Sequence, residues 1–438
     1  MSESPTDPTR PLRVLMFRSV CDTGGLASWM LIHARALQRL GVECHFFFCD
    51  GSRRIPEFEK TAPTTVAPIE AFLDLVATDA YDVLHIPGGD PVCELLTLVP
   101  VKPRIVATNH GGISSVWQST NCHARTAVSR AMAELDQPLT DVLVEAVPNG
   151  VDCDRFTPPA AGSLRVGDAP IVAWVGRTAS IVQKDFPRFL RIAALLAQRG
   201  VRLWVADAHD ADWTIFERLG CPRPPIERWE CVPYEHMPDF YQDVAASGGA
   251  LLMTSPFEGF GLAAAEAAAC GLTTIAPDVL GLRESVQEGL NGTHYPADAS
   301  DADVAARVLA WIGEWTPDRA ATAAATARSR FSAAVMASRY LEIYRRPHPL
   351  KFTGELPADA AREDPVLKAT RGEQGYWQRA SALTRAALRL SEVGRRRLTL
   401  RVVAHVVRTS PRVLARPATR NRLIRAFVNI RPGAPPHR

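Results

Sequence analysis

The sequence predicts an α/β protein: two doubly wound parallel-sheet domains followed by a basic, mainly helical C-terminal extension. Three observations carry this. The 438 residues suffice for two or three domains. Short apolar runs of strand length recur through both halves, alternating with glycine-bearing turns and helix-period segments. The charge is uneven: Pro365 to Arg438 holds 17 basic and two acidic residues, net +15, whereas the whole chain carries +3, so the rest carries −12.

Composition bounds the class. Apolar content of 47% and charged content of 22% are ordinary for a globular protein. The nine cysteines form no Cys-x-x-Cys pair and read as small hydrophobes of a reducing compartment. The leader MSESPTDPTR has no apolar core, so it is not expected to be a signal peptide. No apolar run reaches about 18 residues, so no membrane span is expected. These features predict a cytoplasmic protein.

The elements follow in order. Arg13 to Phe17 reads as a first buried strand, and Asp22-Thr23-Gly24-Gly25 as a tight turn. Leu26, Trp29, Met30, His33 and Leu37 then fit a 3.6-residue period. Gly41 ends that helix, and Val42 to Cys49 is the second strand. The turn lacks the Gly-x-Gly-x-x-Gly of a dinucleotide site. Tyr81 to His85 and Pro103 to Asn109 are further strands, the first followed by Pro-Gly-Gly and the second by His110-Gly111-Gly112. Polar residues at such strand ends lie where open parallel sheets bind ligands. Ser129 can cap the helix after Thr126 to Val128. Pro148-Asn149-Gly150 is a turn that closes the first domain, predicted as residues 11–160.

A second domain is predicted over 168–330. Ile171 to Gly176 opens it, with Arg177, Lys184 and Asp185 behind. Val201 to Ala206 is another strand, followed by Asp207-Ala208-His209-Asp210. The stretch Leu251 to Gly292 is the most informative. A strand, Leu251 to Met253, ends at Ser255-Pro256, and Gly259 and Gly261 stand where a helix begins, so backbone N–H groups can approach an anion. That helix is almost all alanine, a composition suited to tight burial, with Glu266 in its middle. A buried carboxylate needs hydroxyl, N–H or cationic partners. Glu258 lies eight positions earlier.

The pattern E-x7-E around Gly259-Phe260-Gly261, followed by Ala276-Pro277-Asp278, Gly281, Glu284 and Asn291-Gly292, resembles the signature of glycosyltransferase family 4. Val147 to Asp152, with Arg155, Phe156 and Pro158, resembles that family's interdomain segment. The likeness covers roughly residues 12–346. It implies the GT-B fold, two Rossmann-like domains facing a cleft, with residues 331–346 as a closing helix that returns to the first domain. It implies Glu258 on the donor sugar, the Gly259-Phe260-Gly261 backbone on the diphosphate and Glu266 on the ribose. Arg177 and Lys184 would pair with the diphosphate, His110 would lie near the transferred sugar, and Gly24-Gly25 would border the acceptor and the donor phosphates. Two extra residues before Lys184, and Asp185 in place of a glycine, depart from the family pattern. Val232-Pro233-Tyr234, Met237-Pro238 and Tyr241 resemble the segment beside the base.

The activity so implied is retaining transfer of a hexose-type sugar from a nucleoside-diphosphate sugar to an acceptor hydroxyl. The acceptor expected is a lipid-linked or surface-polysaccharide glycan, and no cofactor or metal is expected. The Asp152/Asp154, Asp210/Asp212 and Asp301/Asp303 pairs read as structural or solvated. A sugar-nucleotide epimerase and a non-catalytic binding protein on the same scaffold are the alternatives.

Residues 347–372 read as a linker and 373–438 as the basic extension. Arg397, Arg401, His405, Arg408 and Arg412 recur at helical spacing beside Leu398, Val402, Val403, Val406 and Val407, and Pro411 stops that helix. A second basic segment runs from Arg420 to Arg431. Peripheral binding to anionic lipid on the inner face of the plasma membrane is the leading reading. Packing on the protein's own acidic remainder is second, and nucleic acid is disfavoured because no recognition motif accompanies the charge.

Overall fold

The structure is a computed structural model. It describes residues 10–346 and 381–429 apart from 22–23, 52–53, 112–121, 141, 161–168, 180, 208–212, 315, 382, 394 and 410–413. The 347–372 linker, Asp22-Thr23, Ala208 to Asp212, Pro411, Arg412 and Arg431 therefore lie outside the described residues.

The first sheet has seven parallel strands: β1 (Arg13–Val20), β2 (Glu43–Asp50), β3 (Thr64–Val66), β4 (Val83–Pro87), β5 (Arg104–Asn109), β6 (Ala124–Ala127) and β7 (Val144–Ala146). Their order is β3-β2-β1-β4-β5-β6-β7. The second sheet has six: β8 (Ile171–Gly176), β9 (Arg202–Asp207), β10 (Ile226–Glu230), β11 (Ala250–Leu252), β12 (Thr274–Pro277) and β13 (Gly292–Tyr295), in the order β10-β9-β8-β11-β12-β13. All pairs are parallel. Strand order reverses between β1 and β4 in one sheet and between β8 and β11 in the other. At such switch points the crossover connections diverge to opposite faces and leave a crevice at the carboxyl ends. This is the GT-B fold.

The Pro148-Asn149-Gly150 turn joins the two halves tightly. Val151 N–H donates to Phe331 O at 2.7 Å and Ala333 N–H to Val151 O at 2.8 Å. A Cβ at Gly150 would meet Ala333 Cα at 2.7 Å, which is why a glycine stands there. A helix over Pro317–Phe331 is followed by the helix Ala333–Arg345, which falls within the predicted 331–346 and is capped by Ser332, whose hydroxyl accepts the Val335 N–H. The second returns to the first domain, burying Met336, Ala337, Tyr340, Ile343 and Tyr344 against the helix Gly25–Gln38 and β1.

The C-terminal helices pack on the first domain, the second of the sequence-based readings, so their main apolar face is not free to enter lipid. Leu383, Ala387, Leu390, Leu398, Val402, Val406 and Leu423 are buried with Phe17, Phe47, Phe72, Leu95 and Leu96 in one core. Each buried Leu or Val among them contributes about 1.5–3 kcal/mol of burial. Three polar contacts orient them: buried His405 Nε2 lies 3.0 Å from Glu94 Oε2, Arg389 pairs with Glu70 at 3.3 Å, and Arg395 with Asp74. His405 thus leaves the arginine face that its spacing suggested. Among the described residues no helix is long and apolar enough to cross a membrane.

Candidate active site

A cleft of about 720 Å³ opens between the carboxyl ends of the two sheets. It is lined by every predicted site residue: Gly24, Gly25 and His110 from the first domain, and Arg177, Lys184, Glu258, Gly259, Phe260, Gly261 and Glu266 from the second. Asp154 and Asp301 are not among its lining residues and are paired with arginines, Asp154 with Arg39 at 2.9 Å and Asp301 with Arg191 at 2.6 Å.

The glycine loop is fixed by backbone contact. Gly261 takes φ +87°, a left-handed conformation open to glycine, and caps the helix Leu262–Ala269. Its alanines pack against the helix Pro317–Phe331, as their size allows. A Cβ on Gly259 would come within 2.7 Å of Gly111 Cα and 2.8 Å of His110 O. The two domains therefore meet backbone to backbone at this point. Ser129 both caps its own helix, accepting the Met132 N–H at 3.2 Å, and donates to Gly259 O at 2.7 Å.

Charge is concentrated on one wall. Lys184 Nζ forms an ion pair with Glu258 Oε1. Asp185 has φ +45°, which explains the departure noted in the sequence: the position needs a left-handed residue, and aspartate is one of the few side chains that tolerate it. Its carboxylate also accepts the Arg188 N–H and caps the helix Phe186–Ala197. Arg177 donates to Gln183 Oε1 at 3.2 Å. Asp207, at the carboxyl end of β9, is buried and accepts from the Thr178 hydroxyl, bracing the Arg177 loop.

Glu266 is buried, and burial pushes its carboxyl up to about 8. Tyr241 opposes that rise by donating to Glu266 Oε2 at 3.1 Å. Tyr234 brings a second hydroxyl to the same carboxyl, close enough to stabilise its charge but outside good hydrogen-bond geometry. Sequence reasoning placed both tyrosines beside the base without a role. Tyr241 lies on the helix Met237–Ala246, a turn beyond its start, so its reach to Glu266 depends on tertiary packing.

The first-domain wall was less legible. His110 faces the cleft with its Nε2 buried and unbonded, and stacks edge-on against Trp29 at 4.5 Å. Burial first, then the charges of His85 and Arg18, hold its pKa well below the ordinary value. Arg18 and Arg54, not singled out from the sequence, also line the cleft. Arg18 donates to Pro87 O and Gly89 O at 3.3 Å. Arg54 pairs with Glu57 at 2.8 Å and donates to Ser28 at 3.2 Å.

Two parallel-sheet domains, an inter-domain cleft, and two acidic residues flanking a glycine loop define a protein of the GT-B class. The profile described as "Glycosyltransferase Family 4" matches residues 23–155, and that described as "Glycosyl transferases group 1" matches 169–314. A D-inositol 3-phosphate glycosyltransferase 2 of Catenulispora acidiphila is 31% identical over 408 residues, covering 74% of this chain and 93% of the relative. The D-inositol 3-phosphate glycosyltransferase of Xylanimonas cellulosilytica is 32% identical over 263 residues, 52% of this chain and 57% of the relative. In that match and the Mycolicibacterium smegmatis one, the chain spans about half of the relative's length (57% and 50%). Among solved structures, Anabaena HepE in complex with UDP-glucose aligns with a TM-score of 0.61 at 18% identity, covering 76% of this chain and 99% of that one. A Rickettsia africae glycosyltransferase aligns at 0.62 and 16% identity, covering 76% and 98%. The chain belongs to glycosyltransferase family 4.

Proposed function

We propose that this protein transfers a hexose-type sugar, with retention at the anomeric carbon, from a nucleoside-diphosphate sugar to an acceptor hydroxyl. The observation that carries the reading is the convergence of Lys184, Glu258, the Gly259-Phe260-Gly261 loop and Glu266 on one cleft. Ribose hydroxyls would donate to Glu266. The diphosphate would sit at the N-terminus of Leu262–Ala269, where unpaired N–H groups favour an anion, with Arg177 and Lys184 beside it. An arriving diphosphate competes for Lys184 and frees Glu258 to accept from sugar hydroxyls.

In the reaction the bond from the anomeric carbon to the phosphate oxygen breaks and the bond to the acceptor oxygen forms on the same face. The acceptor's proton passes to the departing phosphate. Arg177 and Lys184 stabilise the charge that develops on that phosphate, so the protein contributes position and electrostatics. On this reading the reaction needs no metal, and chelation with EDTA leaves the rate unchanged.

The acceptor side supplies Arg18 and Arg54, suited to an acceptor that bears a phosphate. The inositol 3-phosphate of the relatives' names and a phosphate-linked lipid glycan share that chemistry. Calorimetry with a panel of sugar nucleotides, wild type beside Glu266→Gln, tests the donor site. Product analysis with each acceptor, reading the anomeric coupling, tests the rest. Conversion of the nucleotide sugar without any acceptor would point instead to an epimerase, and donor binding without turnover to a binding protein.

A further inference from the structure

The C-terminal helices have two faces, and packing accounts for one. On the helix Arg396–Thr409, Leu398, Val402, His405 and Val406 are buried against the first domain. The opposite side presents Arg396, Arg397, Leu400, Arg401, Val407 and Arg408. With exposed Ala404 between Arg401 and Val407, steps of three to four residues make one continuous stripe. Two of its members are large and apolar and yet exposed, Leu400 at 45% and Val407 at 38%. The neighbouring helix, Pro417–Asn429, repeats the arrangement, with Arg416 just before it, Arg420 and Arg425 exposed and Ile424 at 53%. Leu414, between the two helices, is 46% exposed.

Charge is one-signed here. Val393 to Arg438 contains twelve arginines and no lysine, aspartate or glutamate. The remainder of the chain is net acidic, so an anionic surface would attract this side and repel the others. The alternation of guanidinium groups with single exposed aliphatic side chains fits a phospholipid headgroup layer. Phosphates accept from arginine forks, and Leu, Val and Ile reach the acyl boundary. The same seam cannot embed as a free amphipathic helix, because its main apolar face already belongs to the protein core.

We propose that this arginine face docks the enzyme peripherally on an anionic lipid bilayer, as a rigid surface of the first domain. Each arginine near such a surface adds roughly 1 kcal/mol, equivalent to about a five-fold gain in partition. The proposal is independent of the donor site, since none of these residues lines the cleft.

The test is co-sedimentation of the full chain with vesicles of phosphatidylcholine alone, or mixed with about 30% phosphatidylglycerol, at several salt concentrations. Binding is expected only to the mixed vesicles and is expected to weaken with salt. The variant R397Q/R401Q/R408Q should lose about 100-fold in partition, following the per-residue estimate above. L400S/I424S should lose several-fold at unchanged salt slope. Both change exposed side chains, and unaltered sugar-nucleotide binding confirms that they fold. Equal binding to neutral vesicles, no binding to either kind, or a triple variant that binds as wild type would overturn the proposal. So would a double-stranded oligonucleotide that outcompetes mixed vesicles at the same salt concentration.

Discussion

The two walls of the cleft are built differently. The donor wall is local: Glu258, the glycine loop and Glu266 come from nine consecutive residues, and their geometry is set by backbone conformation. The acceptor wall is assembled at long range. Behind His110 lie His33 on the first helix, His85 on β4, Thr108 on β5, Thr126 on β6, and Tyr340 and Tyr344 from the far end of the chain. Tyr344 bridges His33 Nε2 at 2.8 Å and His85 Nδ1 at 2.5 Å, and His85 Nε2 meets Thr108 Oγ1 at 2.7 Å. One phenol can donate to one ring and accept from the other, so both contacts suit neutral imidazoles, while His33 Nδ1 stays buried without a hydrogen-bond partner. The donor wall is therefore sensitive to backbone changes, and the acceptor wall to the closing helix and to protonation.

Gly259→Ala should break the comparison most sharply. Its new Cβ would face backbone atoms of His110 and Gly111, which no side-chain movement relieves. Displacing the loop by even 1 Å is expected to cost on the order of 100-fold in kcat, with the thermal midpoint little changed. Gly313→Ala, away from the cleft, is the control, because nothing lies within 4 Å of its added Cβ. Steady-state kinetics on both variants decide whether the backbone contact matters.

Glu266→Gln should come next, with roughly 10- to 100-fold weaker donor binding for the loss of a charge-assisted hydrogen bond. Its pH dependence is more specific. With its pKa raised to about 8, the wild-type carboxyl is mostly protonated at neutral pH, and ribose hydroxyls that donate to it favour the ionised form. Donor binding should then release a proton, and wild-type affinity should rise with pH up to about 8. Stability moves the other way. The folded state holds this proton where the unfolded state has lost it, so wild-type stability falls as pH rises from the model-carboxyl value of 4.5 to about 8. The variant should lack both trends, as calorimetry in buffers of different ionisation enthalpy and melting curves across pH would show.

What the sequence disclosed divides along the same line. The donor wall was legible because its chemistry is carried by neighbours in the chain, and even the odd Asp185 proved to satisfy a backbone requirement. The strands β2, β4, β5, β8, β9 and β11 announce themselves as apolar runs, within a residue or two of their observed ends, and β1 continues three residues beyond its apolar run. By contrast β3, β7, β10 and β13 are short or rich in polar residues, and only pairing with a neighbour makes them strands. The roles of Tyr241 with Glu266 and of Tyr344 with His33 and His85 depend on contacts across 25 to 311 positions, which no local pattern encodes. The tail's amphipathic helices were visible, but periodicity does not say whether the apolar side meets lipid or protein.

Tyr344→Phe sharpens the acceptor half. It strips two buried histidines of their shared partner and should cost about 1–3 kcal/mol of stability. Burial holds His33 well below its ordinary pKa and His85 at about 3. Below pH 6.5 the unfolded chain takes up protons that the folded one refuses, so stability falls on acidification. Chemical denaturation of His85→Gln should show a shallower acid loss between pH 6.5 and about 3 than wild type. An unchanged slope would mean that other groups control acid unfolding.

The smallest effect is expected at Arg395→Gln. Arg395 holds Asp74 across the tail contact, but both side chains are about half exposed, 42% and 55%. Water competes for each charge, salt screens the pair, and fixing two long side chains costs entropy. Exposed pairs of this kind contribute about 0–1 kcal/mol. The buried apolar seam of Leu398, Val402 and Val406 carries the attachment instead. Arg395→Gln should therefore barely shift the urea midpoint, while Val402→Ala should lower the unfolding free energy by the roughly 2–5 kcal/mol typical of emptying a packed aliphatic site, or somewhat less for the smaller valine, and the midpoint with it. If the order were reversed, the tail would be held by charge, its attachment would weaken with salt, and the arginine face could not stay fixed on the first domain while binding an anionic surface.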